Sequence, residues 1–147
     1  MAARRRTEKE LYPIVARWLS RHHHCFKTAI NTGLLHSRID VVGVRDVGGD
    51  HSGEVETISI EVKRGTQPFA TATGQALGYR VYANRIYLAD LRSSAFSQPE
   101  IEIASHLGVG LIRITGNRCQ EELSSPYYRP ITRMNLGLLE KFGLGLC

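Results

Sequence analysis

Arg38-Ile39-Asp40-Val41-Val42-Gly43-Val44 and Thr57-Ile58-Ser59-Ile60-Glu61-Val62-Lys63 decide the fold of this chain, because both read as strands and the turn-rich Gly48-Gly49-Asp50-His51-Ser52-Gly53 lies between them. Alternation along Ile58, Ile60 and Val62 predicts a strand with one apolar face buried, which puts Ser59, Glu61 and Lys63 together on the other face. The turn cluster predicts an antiparallel hairpin. Its midpoint, between Asp50 and His51, is also the midpoint between Asp40 and Glu61, so a symmetric hairpin sets the two carboxylates opposite each other on one face. Residues so paired have Cβ atoms about 4.5–5.5 Å apart.

That juxtaposition has a chemistry. Two carboxylates at such a separation can ligate one hard cation such as Mg²⁺, with Mn²⁺ as a substitute, leaving other positions for water and a substrate phosphate. Lys63 lies two residues along the same face, where an ammonium can position the attacking water or steady transition-state charge. The plainer reading makes Asp40, Glu61 and Lys63 the wet face of an amphipathic hairpin, with Glu61 and Lys63 as a surface ion pair. The register-matched Asp40 favours a site, since a charge in an otherwise apolar central strand is costly unless paired or metal-bound.

Working outward, Thr7 is expected to cap a helix reaching about Arg21, with Leu11, Ile14, Val15, Trp18 and Leu19 on one side and Glu8 and Glu10 in its first turn. Residues 26–32 read as a first strand. Small residues recur over 68–82, which suits a helix lying close on a sheet, and strands over 85–89 and 109–114 flank a helix over 100–107. A strand, a crossover helix and a strand make the last pair parallel. The order is α-β-β-β-α-β-α-β, an α/β fold with a mixed sheet and helices on both faces. The chain is expected to be one domain, its core over about 7–115, followed by an extension over 116–147 that is irregular until a short helix over 136–142.

Nineteen basic against fourteen acidic residues give a net charge of +5, which favours a polyanionic partner. Part of the excess is the cluster Arg4-Arg5-Arg6, a candidate phosphate-contacting arm or simply a solvated terminus. No apolar run approaches the ~20 residues of a membrane span and no secretory signal precedes the first helix, so a cytoplasmic protein without membrane association is expected. Cys25, Cys119 and Cys147 are odd in number and widely spaced, against a disulfide framework. His22-His23-His24-Cys25 invites a zinc reading, but consecutive histidines cannot all face one ion and no second ligand pair at the usual spacing is present.

With these residues in place, the chain resembles the PD-(D/E)XK phosphodiesterase superfamily, the restriction-endonuclease-like nucleases, over roughly residues 8–114. The resemblance implies an α-β-β-β-α-β core, with a metal-binding Asp on the second strand and a (D/E)-x-K pair on the third, matching Asp40, Glu61 and Lys63. Ile39 stands where the motif has proline. The resemblance further implies a first-helix glutamate near the metal, here Glu8 or Glu10; helical phase aims Glu8 better at the sheet. Gln75-Ala76-Leu77-Gly78-Tyr79 is similar to the Q-x-x-x-Y motif of RecB-like and lambda-exonuclease-like members, with Gln75 and Tyr79 on one helical face. The resemblance implies metal binding by Asp40, Glu61 and the Val62 carbonyl, water positioning by Lys63, support from Glu8 and Gln75, and backbone contact by Tyr79; Arg64, beside the expected site, is a further phosphate-contact candidate. A Mg²⁺-dependent DNA nuclease is therefore expected, acting as a homodimer or with a partner protein, and a catalytically silent DNA-binding or assembly module on the same fold is the alternative. Tyr82 with Arg80 and Arg85, and Tyr127-Tyr128 with Arg129, are compatible with stacking and phosphate contact, but tyrosines such as Tyr79 and Tyr82 are more often core residues with an exposed hydroxyl.

Overall fold

A computed structural model describes residues 6–34, 37–48 and 54–143. Arg4, Arg5, Cys147 and the turn residues 49–53 lie outside them. Helix α1 (Glu8–His22) starts where the Thr7 hydroxyl accepts the Glu10 amide at 3.3 Å, and its acidic first turn complements the helix dipole. There follow β1 (Lys27–Gly33), β2 (Arg38–Asp46), β3 (Val55–Lys63), α2 (Phe69–Gly78) running into a 3-10 turn at Tyr79–Val81, β4 (Arg85–Leu91), α3 (Gln98–Leu107), β5 (Gly110–Thr115), β6 (Arg118–Leu123) and α4 (Thr132–Lys141).

The strands form one six-stranded sheet in sequence order. β1, β2 and β3 make an antiparallel meander, and β3, β4 and β5 are parallel. Each parallel step requires a crossover, which α2 and α3 supply. Ser97 caps α3 through a reciprocal box with Glu100, and Gly108, at φ 82°, ends it. The architecture is thus a mixed α/β fold, as the element order predicts.

Both faces of the sheet are covered. On one, Leu11, Val15 and Leu19 of α1 meet Val41, Ile58, Ile60 and Val62. On the other, Ala72 and Ala76 of α2, Ala104 of α3 and Leu138 of α4 meet Val42, Val44, Ile86, Leu88 and Leu111. Ile58, Ile60 and Val62 are fully buried, and together they contribute on the order of 5 kcal/mol of hydrophobic stabilisation. The plainer reading, a wet face on β3, does not hold: Ser59, Glu61 and Lys63 are buried as well, because β3 is central and α2 lies over that side.

The boundary expected at residue 115 also moves. Gly116 and Asn117 turn the chain into β6, which pairs antiparallel with β5, and Leu138, Leu139 and Phe142 of α4 belong to the core. Arg118-Cys119-Gln120-Glu121-Glu122-Leu123 is too polar to announce a strand; it forms one because an edge position buries little. The Gly-Asn pair at the turn was its readable signal. No helix among the described residues is long and apolar enough to cross a membrane.

Candidate active site

Val41 pairs with Ile60 and Val42 with Ser59, the register that places the hairpin midpoint between residues 50 and 51. The ladder stops there, and Asp40 stands one step beyond it. The β1–β2 ladder also skips Asp40, whose neighbour Asn31 has φ 55°, a left-handed conformation that Asn tolerates better than most side chains. Ile39 packs with the α2 and α4 cluster but Val41 with the α1 cluster, although strict alternation puts residues two apart on one face. The strand is therefore twisted at Asp40, and its carboxylate leaves the regular alternation at the end of the sheet.

There the Asp40 carboxylate is held on both sides. Oδ2 accepts the Val62 amide at 2.9 Å, and Oδ1 accepts the Tyr12 hydroxyl of α1 at 3.0 Å. Glu61 Oε2 accepts the Tyr79 hydroxyl, while Oε1 lies 3.0 Å from Lys63 Nζ. Lys63 Nζ is also 3.9 Å from Glu8 Oε1. Glu61 and Glu8 thus flank one ammonium, with Glu61 and Lys63 only 6% and 5% exposed. Burial, reinforced by the Glu61 charge and opposed by the Val62 amide, the Tyr12 hydroxyl and Lys63, leaves the Asp40 carboxyl pushed up to about 6. The phenols of Tyr12 and Tyr79 are raised well above the usual range, first by burial and then by the carboxylates they face. Both remain hydrogen-bond donors at any physiological pH.

A cleft of about 240 Å³ opens onto the pair, lined by Ser37, Arg38, Asp40, Glu61, Gln75 and Tyr79. A second, lined by Thr7, Glu8, Lys9, Tyr12 and Arg64, lies beside it. The structure thus brings together Asp40, Glu61, Lys63, Glu8 and Gln75, with Arg64 at the margin. Of the two first-helix acids, Glu8 is the one at the site, and Glu10 is exposed. Val62 contributes its amide to Asp40, next to the carbonyl expected as a ligand.

Three expectations are corrected. Tyr79 is 5% exposed with its hydroxyl on Glu61 and the Arg38 carbonyl, so it orients the site from within the core and presents no surface for DNA. Tyr82 is likewise buried, and Tyr128 lies under Arg80 with its hydroxyl donating to the Gly108 carbonyl. Arg6 is tied to the β5–β6 turn through the Asn117 side chain, at 3.1 Å, and the Gly116 carbonyl, so it is no free arm.

Sequence reasoning missed Tyr12, although it stands four residues after Glu8 and so on the same helical face. It also missed Asp90, paired in register with Lys63, whose Oδ1 accepts the Gly65 amide at 2.8 Å and fixes the turn leaving β3. Asp90 had no local signal, since its partner is 25 residues away.

The donor set fits a hard divalent cation. Asp40 and Glu61 supply oxygen ligands, and each carboxylate oxygen retains a free lone pair beyond its present partner. His22, His23 and Glu121 also bring ligand atoms within 4.8 Å of one another. There, however, His23 Nδ1 faces Arg45 Nη1 at 3.1 Å and Nε2 faces Glu121 Oε1 at 2.7 Å. Arg can only donate, so Nδ1 accepts and Nε2 carries the proton, leaving no lone pair for a metal.

No protein-family model matches the chain, and no curated protein does. Among solved structures it is similar to the SPO1766 protein of unknown function from Silicibacter pomeroyi, at 20% identity and a TM-score of 0.61, over 94% of this chain and 85% of that one. That likeness concerns the fold alone.

Proposed function

We propose that this chain is a Mg²⁺-dependent nuclease that hydrolyses DNA phosphodiester bonds, built on a restriction-endonuclease-like core. The observation that carries the reading is the meeting of Asp40, Glu61 and Lys63, from two strands, with Glu8 from α1, at the end of the sheet where Asp40 and Glu61 open onto a cleft. Asp40 and Glu61 would hold the cation, with the Val62 carbonyl beside them. When bound, a divalent cation lowers the pKa of a coordinated water and neutralises charge developing on phosphate.

The chain's own residues do the rest. Tyr12 and Tyr79 fix the two carboxylates in their rotamers, as outer-shell donors fix metal ligands generally. Lys63, held between Glu61 and Glu8, is placed to orient a water and to donate to a phosphoryl oxygen. Gln75 is exposed at the cleft wall and can take a second oxygen of the phosphate. The test is cleavage of labelled linear duplex, circular, single-stranded, flap and four-way-junction DNA with Mg²⁺ or Mn²⁺. Lys63→Ala and Asp40→Ala should each lose at least 10²-fold in rate, and full activity in either variant refutes the assignment.

A catalytically silent DNA-binding or assembly module is the second reading, favoured by one observation: every oxygen of Asp40 and Glu61 already has a protein partner. Calorimetry with Mn²⁺ separates the two. Binding lost in Glu61→Gln together with cleavage supports the nuclease; binding without cleavage supports the silent module, and no binding makes the charged hairpin incidental.

A further inference from the structure

We propose that the groove between α1 and the β5–β6 hairpin holds the phosphodiester backbone of the DNA on one side of the cut. The inference rests on the nuclease reading and extends it to substrate placement. The groove, about 250 Å³, is lined by Arg17, Trp18, Arg21, Asn117 and Arg118 among others, and by no carboxylate. All three arginines are exposed, and none takes part in an ion pair among the described residues.

Four other arginines are neutralised. Arg45 and Arg85 share Glu56, Arg92 binds Glu100, and Arg113 binds Glu122. Arg38, Arg64, Arg80, Arg129 and Arg133 also form no ion pair among the described residues, but only Arg17, Arg21 and Arg118 come together in one groove that no carboxylate lines. Arg17 and Arg21 are also four apart on α1, a like-charge spacing that costs a helix a few tenths of a kcal/mol. The fold gains nothing from that arrangement, whereas a phosphate chain does, because guanidinium forks match phosphate oxygens in pairs.

Placement links the groove to the site. α1 begins at Glu8, beside Lys63, and runs away from it. At 1.5 Å per residue, Arg17 and Arg21 lie about 14 and 20 Å along the helix. At about 3.4 Å per nucleotide step, that is at least four to six steps from the scissile phosphate, since both arginines also lie about 180–220° round the helix from Glu8. Arg6 ties the segment before α1 to Gly116 and Asn117, so the hairpin wall of the groove is anchored at the catalytic end. Trp18 is stacked on His22 at 4.9 Å and so is already engaged, which makes this a backbone track without base reading.

The test is fluorescence anisotropy in EDTA, with labelled duplex and single-stranded DNA of mixed sequence, on the wild type and on Arg17→Ser/Arg21→Ser/Arg118→Ser. The triple variant should bind at least tenfold more weakly at about 0.1 M salt. Its log K against log salt slope should be shallower by about 2–3, at 0.9 per lost phosphate contact for duplex and 0.7 for single strand. The exposed, unpaired side chains leave the melting temperature unchanged, and replacing all three with Lys should restore most of the slope. Unaltered affinity and slope in the Ser variant overturn the groove and leave the nuclease reading standing. No binding of either DNA by the wild type overturns the groove proposal outright. Glu61→Gln, which leaves the groove intact, should keep the wild-type slope while losing cleavage; retained cleavage sinks the nuclease assignment, and a changed slope sinks the groove.

Discussion

Replacing Asp40 with Asn should stabilise the metal-free protein at neutral pH. Burial, reinforced by Glu61, moves the Asp40 carboxyl from 3.8 up to about 6. A carboxyl that holds its proton more tightly folded than unfolded costs stability in full above about pH 6 and nothing below about pH 3.8. At about 1.4 kcal/mol per tenfold change in proton affinity, the cost is roughly 3 kcal/mol; Asp40 is only partly buried, and screening on its open side reduces this to about 1–2 kcal/mol. Asn keeps both contacts, with Oδ1 accepting the Val62 amide and Nδ2 donating to the Tyr12 hydroxyl. At about 2–4 °C per kcal/mol, thermal melts in EDTA should show the variant higher by about 2–8 °C at pH 7 and equal to wild type below about pH 4. Excess Mn²⁺ should then raise the melting temperature of wild type but not of the variant. A variant equal to or less stable than wild type at pH 7, or a gain largest in acid, would refute the reasoning.

Glu56 should behave with the opposite sign. It is buried, yet its pKa is lowered, because the hydrogen bonds from Arg85 and Arg45 outweigh desolvation. Glu56→Gln should therefore lose about 1–3 kcal/mol in urea at pH 7, with the deficit shrinking as pH falls through and below about 4.5. Tyr12→Phe keeps the ring in the core but frees Asp40 Oδ1, so Mn²⁺ affinity by calorimetry should fall about tenfold with the melting temperature within a few degrees of wild type. Gly65 has φ 82°, and an added Cβ would stand 2.7 Å from the Leu91 carbonyl oxygen, so Gly65→Ala should cost about 1–3 kcal/mol in chemical unfolding. Ser97→Ala removes the α3 cap and should cost about 1 kcal/mol by the same measurement.

Much of the scaffold was legible because its signals are local. Alternation in β2 and β3 and the turn residues between them fixed a register that the sheet keeps, and the helical period of α1 with its Thr7 cap fixed a helix within a residue of its ends. The same locality explains the misses. β6 is an edge strand whose polar residues carry no burial pattern, and α4 starts four residues before its apolar run. Tyr79 read as a surface aromatic because a motif spacing gives its helical face but not what covers that face.

By itself the sequence determined which carboxylates and which lysine could meet, since a hairpin's register follows from its turn and its side-chain period of two. Only the tertiary structure decided what Ile60-Glu61-Val62-Lys63 is surrounded by. Packing α1 and α2 on opposite faces brings Tyr12 to Asp40, Tyr79 to Glu61 and Glu8 to Lys63 across 28, 18 and 55 residues of chain. Such contacts follow from where whole helices settle on a sheet. That position is set by the summed burial of their apolar faces, which no short stretch of sequence contains.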